Sequence, residues 1–359
     1  MAAPHTFWWT WAWPAAAWVI LFAIPVFGAN SFIAVLAGVT LVGTVFAAVY
    51  HAETVAHRIG EPFGTLVLAI AVTVIEVALI VSVMIAAPVE KAGLARDTVF
   101  AAVMIVCNGI VGLCLLLGGA RHHEQGFQLQ GASAALAVLA ALTILTLVMP
   151  NVAVAVPGPW FSTSQLVFAG VVSLLLYGAF VFIQTVRHRD YFLLVVGGED
   201  EPHGPPPSNK IALISTGLLL VSLVAVVGLA KALTPAIEIG IARADVPKAV
   251  VGIIIAGLVL LPEGLAAVRA AQANRLQTSL NLALGSALAS IGLTIPTVAA
   301  VSIVIDSPLT LGLGEKDQVL LALSLLVGVI TLGTGRTTVL QGIVHLVIFA
   351  AFLFFAVIP

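Results

Sequence analysis

Leu66-Val67-Leu68-Ala69-Ile70-Ala71-Val72-Thr73-Val74-Ile75-Glu76-Val77-Ala78-Leu79-Ile80 carries a single charge, Glu76, inside an apolar run that extends from 63 to 87. A helix needs about 20 apolar residues to cross the hydrocarbon of a bilayer, and a barrel strand roughly half as many. The run is long enough for a helix that satisfies its own backbone hydrogen bonds in lipid, so it reads as a transmembrane helix.

Cutting the rest of the chain wherever charges, Pro or polar clusters interrupt its apolar runs gives further spans at 8–27, 31–50, 98–119, 131–149, 164–186, 211–233, 248–268, 279–304, 318–333 and 338–357. The expected fold is an all-α polytopic membrane protein of about eleven transmembrane helices. Composition excludes the alternative: 61% of the 359 residues are hydrophobic and 8% charged, with a mean hydropathy of +1.18. A soluble chain is normally about a quarter charged. A net charge of -2, from 14 basic and 16 acidic residues, supplies no basic field to gather nucleic acid.

The N-terminus has no Lys or Arg ahead of its first apolar run, where Trp8, Trp9, Trp11, Trp13 and Trp18 crowd together. This differs from a cleavable signal and reads as a retained helix with an interfacial aromatic belt. Cys107 and Cys114 are seven residues apart in one run, about 10 Å along a helix, too far to pair within it. They read as small packing residues.

One long polar break runs from Arg187 to Lys210, with Gly197, Gly198, the triplet Glu199, Asp200 and Glu201, and Pro205, Pro206 and Pro207. Such a stretch buries no core and reads as a linker. The organisation expected is a leader helix over 1–28, five helices over 29–186, the linker over 187–210 and five helices over 211–359. An odd number of spans per half makes the halves enter the membrane in opposite senses, as in the inverted repeats of secondary transporters. A small bias of Lys and Arg places the N-terminus and the acidic linker in the cytoplasm.

Most acids lie at span ends, among them Glu61, Glu90, Asp97, Glu238, Asp245, Asp306, Glu315 and Asp317, where headgroups or water are in reach. Glu76 and Glu263 do not. An acid near the bilayer centre costs about 2.5–3.5 kcal/mol on insertion scales, so one is kept where it is used. Each is in the second helix of its half, and a pseudo-two-fold axis would bring the pair together near the midplane. Pro262 has no N–H, which frees the carbonyl of Leu258 and should kink the helix. Thr73 lies one turn before Glu76 on the same face. In the next helix of the second half Ser286, Ser290, Thr294 and Thr297 form a polar stripe, and the matching helix of the first half carries Asn108 with Gly109 and Gly112. Small residues of this kind also serve as packing glue.

Two carboxylates with carbonyl and hydroxyl oxygens make a hard, oxygen-only site suited to Ca²⁺ or another hard cation and wrong for thiolate-seeking metals. Protons and a cation compete for the same oxygens, which is the chemistry of an antiporter. Only a neutralised site crosses apolar packing cheaply. A channel would need a continuous polar pore. An intramembrane enzyme using the acids as a dyad would need a catalytic motif, and none accompanies them.

Two blocks carry a family resemblance. The first runs from Gly60-Glu61-Pro62-Phe63-Gly64 through Glu76 and Ala95-Arg96-Asp97-Thr98-Val99-Phe100 to Asn108-Gly109-Ile110-Val111-Gly112. The second runs from Leu261-Pro262-Glu263-Gly264 through Leu284-Gly285-Ser286-Ala287-Leu288-Ala289-Ser290 to Pro296. They resemble the two alpha-repeats of the calcium/cation antiporter superfamily, in its cation/proton exchanger branch, and within it the bacterial ChaA-type Ca²⁺(Na⁺, K⁺)/H⁺ antiporters. The resemblance implies an inner-membrane protein that needs no cofactor, has Ca²⁺, Na⁺ or K⁺ and protons as substrates, and uses Glu76 and Glu263 to exchange them. It also implies that Ser286 and Asn108 neighbour the site. Exchangers of this kind carry Gly-Asn four and three residues before each glutamate; Val72-Thr73 and Val259-Leu260 stand here instead. With fewer neutral oxygens the site is expected to admit Na⁺ or K⁺ as well, and a monovalent-only antiporter is the alternative reading.

Weaker signals are read as structural. His345, inside the last span with no acid nearby in sequence, reads as a packed neutral residue. His51, Glu53 and His57 read as a solvated loop at a span end, and His122, His123 and Glu124 make no H-E-x-x-H motif. Arg269 and Arg336 read as interfacial anchors.

Overall fold

A computed structural model describes residues 7–27, 31–60, 63–86, 92–192, 206–243, 247 and 249–358. Among these, eleven helices follow the apolar runs: α1 Trp9–Phe27, α2 Ser31–Ile59, α3 Phe63–Ala86, α4 Leu94–His122, α5 Leu129–Asn151, α6 Thr163–Arg187, α7 Asn209–Arg243, α8 Ala249–Gln272, α9 Leu276–Val304, α10 Glu315–Leu332 and α11 Val339–Val357. Eight of them are long and apolar enough to cross a membrane by length and composition. The acidic triplet of the linker, with Gly197, Gly198 and Pro205, lies outside the described residues, as do Glu61, Glu90 and Asp245.

Two helices outrun their apolar stretches. α2 continues nine residues past the span expected to end at 50, and α7 continues ten past 233. His51, Glu53 and His57 therefore stand on a helix, which corrects the loop reading. His51 is fully buried, with Nε2 3.1 Å from the carbonyl of Thr10. Hydropathy marks the edge of the bilayer; hydrogen bonding carries the helix beyond it.

The chain forms two compact units, Met1–Ala86 with Asp200–Val246, and Ala87–Glu199 with Pro247–Pro359. Each draws helices from both halves of the sequence. In the first unit α2 is the centre, packed against α1, α3 and α7. Trp13 lies across Gly43, where no side chain would fit. Thr44 Oγ1 reaches the carbonyl of Trp13 at 3.3 Å, and the guanidinium of Arg58 donates to Asn209 Oδ1 from α7.

In the second unit α4 and α9, the third helix of each half, are the most enclosed. Both are rich in Gly and Ala, and α9 in Ser as well, small residues that let helices approach closely where lipid supplies no hydrophobic drive between them. α4 packs on α8, α9 and α11, and α9 on α5, α6 and α8. A two-residue antiparallel ribbon pairs β1, Gln125–Gly126, with β2, Arg336–Thr337, tying together the connections that precede α5 and α11. The fifth helix of each half opens with a capping box: Ser162 with Gln165 starts α6, and Thr338 with Gln341 starts α11. Each box satisfies N–H groups that the first turn leaves without helical partners. Cys107 and Cys114 are buried and unpaired as thiols, in keeping with packing roles.

Candidate ion-binding site

Glu76 sits in the middle of α3, in the first unit, and is 2% exposed. Its neighbours at helical spacing, Val72, Leu79 and Ile80, and the adjacent Ile75 are buried apolar side chains. Thr73, one turn earlier, is buried as well. The face that carries both polar groups is thus turned inward, while Ile70 and Val74 are exposed.

The other expected site residues, Asn108, Leu258, Glu263, Ser286 and Ser290, belong to the second unit. Glu263 is half-buried as a residue, but both its carboxylate oxygens are shielded from solvent. Leu261 and Leu265 on either side of it are exposed, as lipid-facing residues are, and Pro262 is buried. α8 continues through Pro262 without interruption. The proline still withholds an N–H from the Leu258 carbonyl, which leaves that oxygen available inside an otherwise satisfied helix. On α9, Ser290 and Thr294 are buried and Ser286 half-buried. Thr297 is exposed and returns its hydroxyl to the carbonyl of Leu293 at 2.8 Å, so the polar stripe ends before it.

Asn108 lies in a feature not legible in the sequence. α4 widens into a π-helical turn over Ile105–Ile110 before resuming at Val111. Such turns insert one residue, recur at functional sites and leave a carbonyl outside the regular ladder. Asn108 is fully buried there. Its Nδ2 donates to Ser324 Oγ on α10 at 2.8 Å, and its Oδ1 faces His345 Nδ1 on α11 at 3.2 Å. His345 Nε2 lies 3.1 Å from Thr331 Oγ1. His345 is thus a packed residue with neutral partners, as expected, but a partnered one whose companions are distant in sequence. The amide of Asn108 is engaged at both ends within this unit. Beside it, α8 rests on the same turn: Gly264 faces Ile110 and Gly257 faces Ile105.

Residues 30–186 and 214–358 match the family described as sodium/calcium exchanger protein. The chain is 54% identical over 323 residues to a provisionally named ionic transporter of Sinorhizobium fredii, y4hA, covering 89% of this chain and 87% of that protein. It is 37% identical over 349 residues to the sodium-potassium/proton antiporter ChaA of Escherichia coli, covering 95% and 93%. Its fold resembles the solved structure of native YfkE, with a TM-score of 0.74 at 17% identity over 98% of this chain and 100% of that one.

Proposed function

The chain belongs to the sodium/calcium exchanger protein family, and on that footing we propose that Glu76 and Glu263 take up a cation and protons by turns in a cation/proton antiporter. The observation that carries this reading is a carboxyl withdrawn from solvent on the second helix of each half, inside an apolar stretch of the kind in which an acid costs several kcal/mol and is kept only in use. Two carboxylates balance one Ca²⁺, and protons neutralise them equally well. Either load gives a site neutral enough to pass between inward-open and outward-open states. Thr73, the Leu258 carbonyl, Ser286 and Ser290 supply neutral oxygens of the hard kind that Ca²⁺, Na⁺ and K⁺ prefer. Asn108 shapes the wall of the site through its turn. The substrates are Ca²⁺, with Na⁺ and K⁺ admitted, against H⁺, across a bacterial inner membrane with the N-terminus on the cytoplasmic side.

The test is dissipation of a pH gradient in everted vesicles on addition of Ca²⁺, Na⁺ or K⁺. Glu76→Gln and Glu263→Gln are each expected to abolish the cation-dependent signal while the protein still inserts and purifies as a single species. The wild-type response is expected to grow with rising pH, because deprotonation frees the oxygens for the cation. Exchange retained in either variant, or a response equal at acid and alkaline pH, overturns the assignment.

A further inference from the structure

The polar chain around Asn108 has a direction. Ser324 Oγ donates to the carbonyl of Leu320 one turn back at 2.7 Å, so its lone pairs are what receive Asn108 Nδ2. The amide is therefore oriented with Oδ1 toward His345, which must present an Nδ1–H. The neutral ring then has a lone pair at Nε2 for the Thr331 hydroxyl. His345 thus holds a residue in the middle of the π-helical turn by its side chain.

The fit around this clasp is close. A methyl on Gly112 would meet His345 Cβ at 3.0 Å, and one on Gly109 would meet the Phe349 ring at 3.3 Å. α11 is seated directly on the turn, with no room for a larger neighbour. On its other side the turn carries α8, where Ile110 sits against Gly264, the residue next to Glu263. If the turn relaxed to a regular α-helix, everything after it would rotate by about 100° relative to what precedes it, because each residue advances the helix by that angle. Ile110 would leave Gly264, and the surface beneath Glu263 would change. A buried polar network is a costly way to obtain stability alone, since apolar side chains fill a bundle core as well.

We propose that His345 is a positioning residue for exchange: by clasping Asn108 it holds the widened turn of α4 on which the Glu263 helix rests, and so sets the affinity of the site for its cation. This rests on the reading that Glu263 binds the cation. Glutamine is the discriminating replacement, because its amide presents an NH₂ donor and a carbonyl acceptor at nearly the spacing of the two ring nitrogens and takes no proton.

Three variants, His345→Gln, His345→Leu and Thr331→Val, are compared with wild type for cation KM in everted vesicles, for pH profile, and for amide hydrogen exchange of residues 105–110 in the purified protein. His345→Leu is expected to raise the KM about tenfold, the loss of roughly one to two buried hydrogen bonds, with maximal rate little changed and with faster exchange of the turn. Thr331→Val, which removes only the far bond, gives a smaller rise and keeps the test available should His345→Leu fail to fold. His345→Gln restores KM, pH profile and amide protection. Wild-type affinity and protection in both His345→Leu and Thr331→Val overturn the proposal. So does a His345→Gln variant that loses exchange or shifts the pH profile, which would make the ring a proton carrier. Retained exchange in Glu263→Gln defeats the reading of Glu263 instead, and the hydrogen-exchange comparison still decides whether His345 holds the turn.

Discussion

Gly342→Ala is a one-methyl perturbation of the crossing between α4 and α11. A methyl there comes within 2.9 Å of the Gly112 carbonyl oxygen and of Leu116 Cα, and nearer still to the Leu116 amide nitrogen, against an ordinary contact of 3.4–4 Å. All three obstacles are backbone, so no side chain can rotate away and the helices must part by about half to one ångström, an overpacking that costs about 1–3 kcal/mol. The same gap forfeits about a quarter to a half of each dispersion contact along the seam. His345 is one turn further along α11, and its 3.2 Å approach to Asn108 does not survive such a separation, which adds about 1 kcal/mol. Replacing Gly by Ala within a helix returns about 0.5–1 kcal/mol. The net expectation is a loss of about 1–3 kcal/mol. Gly178→Ala on α6 is the control, since nothing lies within 4 Å of a methyl there. It should be neutral or slightly stabilising. Unfolding of the purified protein in detergent, followed by fluorescence of its six tryptophans, gives both numbers. If Gly342→Ala unfolds at or above the wild-type midpoint, alongside Gly178→Ala, the close crossing of α4 and α11 is wrong.

Two further outcomes test the packing elsewhere. Cys107 and Cys114, both buried, should resist a membrane-impermeant maleimide in the native protein and react after SDS; labelling of the folded protein at the rate of an exposed thiol contradicts their burial. The ion pair of Arg336 with Glu124, 3.1 Å apart with side chains 76% and 50% exposed, should contribute less than about 0.5 kcal/mol, so Glu124→Ala leaves the unfolding midpoint in place; a large drop would mean the pair does more than decorate the ribbon.

The eleven helices were legible because bilayer thickness sets a length that apolar runs must meet, and Glu76 and Glu263 stood out because charge is expensive there. The ends of α2 and α7 were not, because a helix leaving the membrane continues as long as its hydrogen bonds and neighbours hold it. His51 was misread for that reason: its partner Thr10 is on another helix. Asn108 drew notice as a polar residue in an apolar run, yet nothing local announced the π-helical turn around it. Thr297 shared the spacing of Ser290 and Thr294 but faces outward, since a four-four-three pattern drifts around a helix and only packing says where the buried face stops.

By itself the amino-acid order determined the membrane class, the helix count and the two acids, since each follows from the local cost of placing a residue in lipid. Only the tertiary structure decided the widened turn of α4 and the orientation of His345. The partners that stabilise them lie up to 237 residues apart, and a hydrogen bond depends on distance in space rather than along the chain.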